Sequence, residues 1–175
     1  MPIAINGDGT ITGISVGGLP DGIVDNDMLA AGTPNSAALP TGTVLQVQHT
    51  SSSTNTTNST STYATLLSQT ITLSSTSNYV LAFASISLRV NQNTNAYGDV
   101  AIYHTDTSGT QVVQVFNGQN ENVNSDYNFT CLGRHAPSST DEQTYVLAFR
   151  RGSSGTTSVS TDSRLHQLIL VEVAG

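Results

Sequence analysis

Tyr79-Val-Leu-Ala-Phe-Ala-Ser-Ile-Ser-Leu-Arg-Val90 is the stretch of sequence that decides the fold. Its first half is continuously apolar, and in its second half Ile86, Leu88 and Val90 alternate with polar residues. Successive side chains of a β-strand point to opposite faces of the sheet, so the alternation predicts a strand that buries these three residues. The apolar run before them predicts a first half that is buried on both faces. A helix is disfavoured because the stretch is poor in the straight-chain residues that stabilise helices.

The pentapeptide Tyr-Val-Leu-Ala-Phe at 79–83 occurs a second time, at 145–149. Two copies of one apolar strand, far apart in the sequence, predict two equivalent positions in a core between two sheets. We further expect Leu81 or Phe83 to contact the apolar face of the last strand of the chain.

The composition favours a single all-β domain. A chain of 175 residues is long enough for one domain with its own core. It contains no lysine and few glutamates, which leaves little material for surface helices. About a quarter of the residues are Ser or Thr, which suit strand faces and turns. Cys131 is the only cysteine, so no intrachain disulfide can form, and packing or partner chains must hold the fold.

The charge and hydropathy of the chain argue against two classes of partner. A net charge of -7 disfavours a nucleic-acid-binding function and disfavours docking on an anionic membrane, since both need a basic surface. No apolar run approaches the length that spans a bilayer. The first seven residues lack the basic region and hydrophobic core of a secretory signal peptide. We therefore expect neither a nucleic-acid partner nor a membrane partner.

Residues 1–42 differ from the rest of the chain and hold four of its five prolines. Isoleucines on either side of the glycine turn at 6–9 predict a small hairpin, and 25–31 predict one helical turn. The segment is too apolar for a solvated tail and too interrupted by glycine and proline to fold alone. We therefore expect an extended attachment arm that buries its apolar side chains against a partner. The arm residues predicted to make this contact are Ile3, Ile5, Ile11, Ile14, Val16, Leu19, Ile23, Val24, Met28 and Leu29.

From Thr43 to the end, at 43–175, the sequence predicts a jelly-roll-like antiparallel β-sandwich. The polar stretch 50–62 is expected to form an exposed loop or a ragged edge strand. The last strand, apolar on both faces until Glu172, is expected in the interior of a sheet or under another subunit. About eight strands without intervening helices fit a sandwich of this kind. Strands are predicted at 43–49, 63–73, 79–90, 97–104, 111–116, 127–132, 143–150, 165–173 and, more weakly, 156–160, with loops at 91–95, 117–125 and 133–142.

The sequence contains no pattern of a catalytic, metal-binding or cofactor-binding site. Its four histidines lack metal-ligand spacing, and no glycine-rich phosphate loop or nucleophile elbow is present. We therefore expect no enzymatic activity, no metal and no cofactor. The alternative is a carbohydrate-binding module or a glycan-active enzyme, based on Tyr97, Tyr103 and Tyr127 beside Asn-rich loops. Tyrosines at strand starts more often fill a core or an interface, and paired carboxylates for glycan hydrolysis are missing.

The opening Ile3-Ala-Ile-Asn-Gly-Asp-Gly-Thr-Ile-Thr-Gly-Ile-Ser-Val-Gly-Gly-Leu-Pro-Asp-Gly22 resembles the start of virion structural proteins of tailed bacteriophages, especially marine cyanophages. Asp25-Asn-Asp-Met-Leu-Ala30 and Gly42-Thr-Val-Leu-Gln-Val47 belong to the same pattern. The resemblance is specific over the first 47 residues and architectural afterwards. It implies a protein of the virion that forms a homotrimer and brings no enzymatic residues with it.

The resemblance covers both tail-fibre-like proteins and capsid decoration (cement) proteins. A fibre shaft needs heptads, Gly-X-Y repeats or a β-helix repeat, and none occurs in this chain. An apolar arm joined to one compact domain therefore favours a cement protein on the capsid surface, whose partner is the major capsid protein. The alternative is a trimeric tail fibre or receptor-binding adhesin, whose partners are tail or fibre proteins and a host surface glycan.

Overall fold

The computed structural model describes residues 4–5, 11–12, 39–90, 97–118, 125–152, 159–161 and 164–175. These residues form β-strands and no helix.

The chain divides into two compact units, Met1–Ala38 and Leu39–Gly175. In the first unit, β1 (Ala4–Ile5) pairs antiparallel with β2 (Ile11–Thr12). This pairing confirms the hairpin predicted around the glycine turn. The helical turn predicted at 25–31 lies outside the described residues.

The second unit consists of two antiparallel sheets. Its strands are β3 (Val44–Ser52), β4 (Thr57–Asn58), β5 (Ala64–Thr72), β6 (Tyr79–Val90), β7 (Tyr97–His104), β8 (Thr110–Gly118), β9 (Ser125–His135), β10 (Glu142–Arg151), β11 (Val159–Thr161) and β12 (His166–Val173). The β10 sheet has the order β5-β10-β7-β8, and the β6 sheet has the order β3-β12-β6-β9. The short strand β11 pairs with β6 beyond the end of β12, and β4 pairs with β11, so both extend the β6 sheet.

This strand order is that of a jelly roll. Counted along the chain, the long strands of the β6 sheet are the first, eighth, third and sixth, and those of the β10 sheet are the second, seventh, fourth and fifth. Apart from the hairpin between β7 and β8, every connection between successive long strands passes from one sheet to the other. This is the double Greek-key wrapping of jelly rolls. The prediction of an all-β, jelly-roll-like antiparallel sandwich is confirmed.

The two copies of the pentapeptide lie in different sheets, and they face the core in opposite phase. In β10 the first, third and fifth residues of the copy belong to the core, whereas in β6 the second and fourth do. The core residues are Tyr145, Leu147 and Phe149 in one copy and Val80 and Ala82 in the other. The predicted two-sheet core is therefore confirmed, but the prediction that the two copies occupy equivalent positions in it is wrong.

The prediction that the first half of β6 is buried on both faces is wrong. Tyr79, Leu81 and Phe83 are only half-buried, because they lie on the outer face of the β6 sheet. The prediction that Leu81 or Phe83 lies against apolar residues of the last strand is confirmed, since the two residues pair with Val171 and Ile169. That strand, β12, lies in the interior of its sheet between β3 and β6, as predicted.

Further along β6, Ile86, Leu88 and Val90 are buried as predicted. Ser87, one of the polar residues that alternate with these three, is also buried. The buried His166 lies against this position, and the Ser87 backbone N–H donates to His166 Nδ1.

Several strands are longer than predicted, because each continues as long as the neighbouring strand offers backbone groups for pairing. β9 runs to His135, where a loop was predicted, since β6 offers paired backbone groups as far as Val80. β3 continues through Ser52 into the predicted polar loop because His166 pairs with Ser52. In the same way, β8 extends to Gly118 opposite the start of β7. The predicted loop at 91–95 lies outside the described residues.

Residues at the start of the second unit are hydrogen-bonded to its last strand. The Gly42 N–H donates to the Ala174 carbonyl at 2.9 Å, and the Ala174 N–H donates to the Thr43 carbonyl at 2.9 Å. Gly42 has a φ of 91°, a backbone conformation that favours glycine. The hydrogen bonding of the sandwich therefore includes the last residue of the predicted arm.

The opposite phase of the two pentapeptides predicts unequal costs for truncating their phenylalanines. Phe149→Ala should destabilise the protein by about 3–5 kcal/mol because the side chain is fully buried in the core. Phe83→Ala should cost about 1 kcal/mol because the ring is half-exposed on the outer face. Urea unfolding, at a protein concentration that keeps the chain monomeric, measures both values. Equal costs would contradict the assignment of the two faces.

Candidate association surface

The outer face of the β6 sheet carries an apolar surface that the register of four strands assembles. Two cross-strand rows make it up: Val47–Val171–Leu81–Arg134 and His49–Ile169–Phe83–Leu132. We call the six aliphatic and aromatic members of these rows the apolar face. In β12, β6 and β9 the alternate residues belong to the core, so the members of the apolar face on these strands point away from it. On β3, Val47 lies opposite Val171 in the same row.

The apolar face is accessible and crosses the whole sheet. Val47 on β3 and Leu132 on β9, at its two sides, are each 56% exposed. The four members between them are half-buried. At about 4.8 Å between neighbouring strands, four strands span about 14 Å. A contiguous exposed apolar surface, in contrast to scattered apolar residues, marks a site of association.

The two rows contain no carboxylate, although the chain carries a net charge of -7. Their single formal charge is Arg134, whose guanidinium lies 4.2 Å from the centroid of the Tyr79 ring. The neighbouring row is polar and borders the apolar face; it consists of Ser51, Gln167, Ser85 and Thr130. A negatively charged partner can therefore meet the apolar face without repulsion from carboxylates in these rows.

A buried carboxylate behind the apolar face holds β3 and β12 together. Glu172 follows Val171 on β12 and is 1% exposed. It accepts hydrogen bonds from Gln46 Nε2 at 2.6 Å, from Asn78 Nδ2 at 2.6 Å, and from the Ser74 backbone N–H and hydroxyl at 2.7 and 2.8 Å. Burial pushes the pKa of Glu172 upward, but these hydrogen bonds outweigh it and hold the pKa below its ordinary value. The sequence pattern gave no sign of this role.

The outer face of the β10 sheet is covered by its own side chains instead. The rings of Tyr63 and Tyr103 meet edge to face, with centroids 5.2 Å apart, and pack against Ala148. The Arg150 guanidinium lies 4.5 Å from the centroid of the Tyr63 ring, and its Nε donates to Asp99 at 2.8 Å. Arg150 is thus engaged in an ion pair at the end of a strand. The two outer faces of the sandwich therefore differ in chemistry.

The three tyrosines considered for stacking on a sugar do not share a surface. Tyr103 is 7% exposed, and its hydroxyl donates to Gln111. Tyr127 is half-buried and packs against the core on the β6 sheet. Tyr97 lies against Gly152, where its ring occupies the place that a Cβ would take. Their packing supports the structural interpretation of all three.

The structure brings together two of the four histidines. The rings of His104 and His135 lie with their centroids 4.4 Å apart, although the residues belong to different sheets. Cys131 is fully buried in the core, and burial raises the pKa of its thiol to about 11. Across the described residues, no group of three or more His, Cys, Asp or Glu side chains is arranged to hold a metal ion. The same part of the chain has no helix with the length and hydropathy needed to cross a membrane.

The predicted attachment residues of the arm lie mostly outside the described part of the chain. Ile5 and Ile11 belong to the β1–β2 pair, in which they are paired with each other. The other eight lie outside the described residues: Ile3, Ile14, Val16, Leu19, Ile23, Val24, Met28 and Leu29. Their role in attachment stays a prediction.

Comparison with known proteins finds matches among solved structures alone. No protein-family model matches this chain, and no curated protein matches it. The VP2 subviral particle of infectious bursal disease virus aligns at 15% identity and a TM-score of 0.37, over 73% of this chain and 37% of VP2. The T13 particle of the same virus aligns at 14% identity and a TM-score of 0.38, over 74% of this chain and 36% of that chain.

A solved CBM4 structure aligns at 18% identity and a TM-score of 0.33, over 61% of this chain and 58% of that chain. The chain thus spans little more than a third of the two viral chains and over half of the CBM4 chain. At these identities and TM-scores the similarities carry no conclusion about function, which rests on the chain's own residues.

Glu172→Gln should destabilise the protein by about 2 kcal/mol at pH 7, because an amide cannot accept all four hydrogen bonds of the carboxylate. The lowered pKa of Glu172 means that its stabilisation is complete above the ordinary pKa of 4.5 and is lost as the pH falls through the folded value. Urea unfolding of both proteins between pH 7 and pH 3 measures this. The gap between them should narrow below pH 4.5, and a constant gap would contradict the assignment.

Proposed function

We propose that this protein is a non-enzymatic structural protein of a tailed-bacteriophage virion, where it decorates the capsid as a cement protein. The observation that carries the proposal is the apolar face: an exposed, carboxylate-free surface on an acidic, compact jelly roll. Such a surface serves lasting association between proteins. The sequence of residues 1–47, which resembles the opening of phage virion proteins, supports a virion as the place of that association.

The apolar face joins copies of this chain into a homotrimer. The chain has no disulfide to staple copies together, so the contact has to be non-covalent. The apolar face offers side chains from all four strands, which bury apolar area at about 25 cal/mol per Å². Because it lacks carboxylates, neighbouring copies meet there with the least repulsion between their net negative charges. A three-fold arrangement closes the assembly and leaves no apolar face free.

The N-terminal arm attaches the trimer to the major capsid protein. Ordering an extended arm costs conformational entropy, which only a long apolar contact can offset. Three arms on one trimer multiply the effective affinity without adding a new kind of contact. A protein that binds the assembled shell and not its separate subunits stabilises the shell by mass action. This is the physical basis of a cement function.

Leu132→Ser tests the apolar face. The substitution should weaken trimer association by about tenfold or more, since it removes an apolar contact at each copy of the interface. Leu165→Ser is the matched control: Leu165 is 55% exposed, against 56% for Leu132, and it precedes β12 beyond the polar row. Sedimentation equilibrium measures both variants. Equal association of the two, or a wild-type chain that is monomeric at micromolar concentration, would refute this interface.

The cement function is tested on virus particles with and without the protein. Particles without it should release DNA at lower temperature or under milder osmotic shock, while adsorption to host cells stays normal. A truncated protein without residues 1–38 should fold, but it should not restore the stability of such particles when added back. The full chain should restore it. Stable heads with lost adsorption would instead identify a receptor-binding tail fibre.

A further inference from the structure

His104 and His135 meet between the two sheets at one end of the sandwich. His104 is the last residue of β7 in the β10 sheet, and His135 is the last residue of β9 in the β6 sheet. Their ring centroids are 4.4 Å apart and their planes are tilted by 43°. Both side chains are half-buried. The contact therefore joins the sheets where solvent protons can reach it.

Each ring is also fixed by one hydrogen bond to β10. The Gln143 amide nitrogen donates to the Asp141 carbonyl at 2.8 Å, so its Oε1 accepts from His104 Nε2 at 2.8 Å. On the other side, His135 Nδ1 lies 2.9 Å from the Tyr145 hydroxyl. Tyr145 is fully buried, and its hydroxyl has no other hydrogen-bond partner among the described residues. The pair is thus held in place from both sides.

Among the described residues, no carboxylate forms an ion pair with either imidazole. The acidic residues nearest in the sequence are Asp106, after His104, and Asp141 and Glu142, before Gln143, and all three are exposed. The titratable groups that face it are Tyr145, whose ring lies 5.2 Å from His104 and 5.8 Å from His135, and the two imidazoles themselves. The neighbouring Arg134 on β9 lies over Tyr79 on the outer face. Over the described residues, the ion pairs involve Asp99 and Asp126, and no carboxylate lies within 4.0 Å of either imidazole.

We propose that the His104–His135 pair is an acid-sensitive contact between the two sheets, which holds this end of the sandwich closed when neutral and loosens it when protonated. Two neutral rings pack favourably, but two imidazolium rings at this separation repel each other. Protonation at Nδ1 also turns His135 into a donor toward the Tyr145 oxygen. The buried hydroxyl proton of Tyr145 then loses its acceptor.

The direction of the effect agrees with the surroundings of His135. Burial, and then the nearby His104, lower the pKa of His135 below 6.5. A base whose pKa is lower in the folded state stabilises the fold fully above the ordinary value of 6.5. This contribution is lost as the pH falls through the lowered value. The acid-sensitive window therefore begins at pH 6.5 and extends downward through the lowered pKa of His135.

Loosening of the histidine contact also affects the apolar face, because β9 carries both His135 and the apolar-face residue Leu132. Leu132 and Arg134 lie near the end of β9, just before His135, and pair with Phe83 and Leu81. Loosening the end of β9 therefore disturbs one side of the apolar face. This last step rests on the proposed function, whereas the acid sensitivity of the sandwich does not.

The test compares wild type with His104→Gln at a protein concentration that keeps the chain monomeric. His49→Gln is the control because His49 is exposed on the edge strand β3. The low concentration matters because His49 lies in one of the two rows of the association surface. We expect NMR titration of the His135 ring to give a pKa below 6.5 in wild type and a higher pKa in His104→Gln. Calorimetry at pH 7.5 and at pH 5.0 should show that the wild-type Tm falls with pH. This fall should be about 2–4 °C smaller in His104→Gln.

The buried His166 is present in wild type and in each variant, so the comparison with His104→Gln cancels its contribution. If His104→Gln does not fold, His135→Gln takes its place, with the same expected loss of pH dependence in Tm. An ordinary pKa for His135, or a pH dependence in these variants equal to that of His49→Gln, would overturn the acid-sensitive contact. Trimers that fail to form at pH 7.5 would count against the proposed function alone.

Discussion

The pairing of β6 along both of its edges is the constraint on which the rest of the structure depends. One edge is paired with β9 from Val80 to Val90, and the other is paired with β12 and β11 placed end to end. Buried backbone N–H and carbonyl groups need partners, so the length of β6 dictates how far its neighbours extend. The same register that fills the core also aligns the outward side chains of β3, β12, β6 and β9. The apolar face is thus a result of core pairing.

The fold class was predictable because it depends on local patterns that repeat. The alternation at 86–90 predicted both a strand and its buried face, and the second pentapeptide predicted a two-sheet core. The phase of the first pentapeptide was not predictable, since identical residues at 79–83 and 145–149 face opposite ways. Their facing is set by packing in the shared core, to which one copy contributes Val80 and Ala82 and the other contributes Tyr145, Leu147 and Phe149. Such complementarity is absent from any single stretch.

The candidate sites depended even more on long-range register. Leu81 and Ile169 are recognisable as apolar, but only the paired strands reveal that they share a solvent-facing row with Val47 and Leu132. His104 and His135 carry no spacing signal, because they approach each other across the sandwich. Glu172 looked like the end of an apolar strand, whereas its partners come from strand β3 and from the turn between β5 and β6. Sequence patterns report one strand at a time, and these features belong to several.

The burial of Cys131 makes the chain its own reporter of transient opening. It is the single thiol of this sequence, and it pairs with Ala84 of β6. Because it is fully buried, reagents cannot reach it in the closed fold. The rate at which a thiol-specific dye modifies it at fixed pH therefore measures how often β9 separates from the core. No engineered label is required for this measurement.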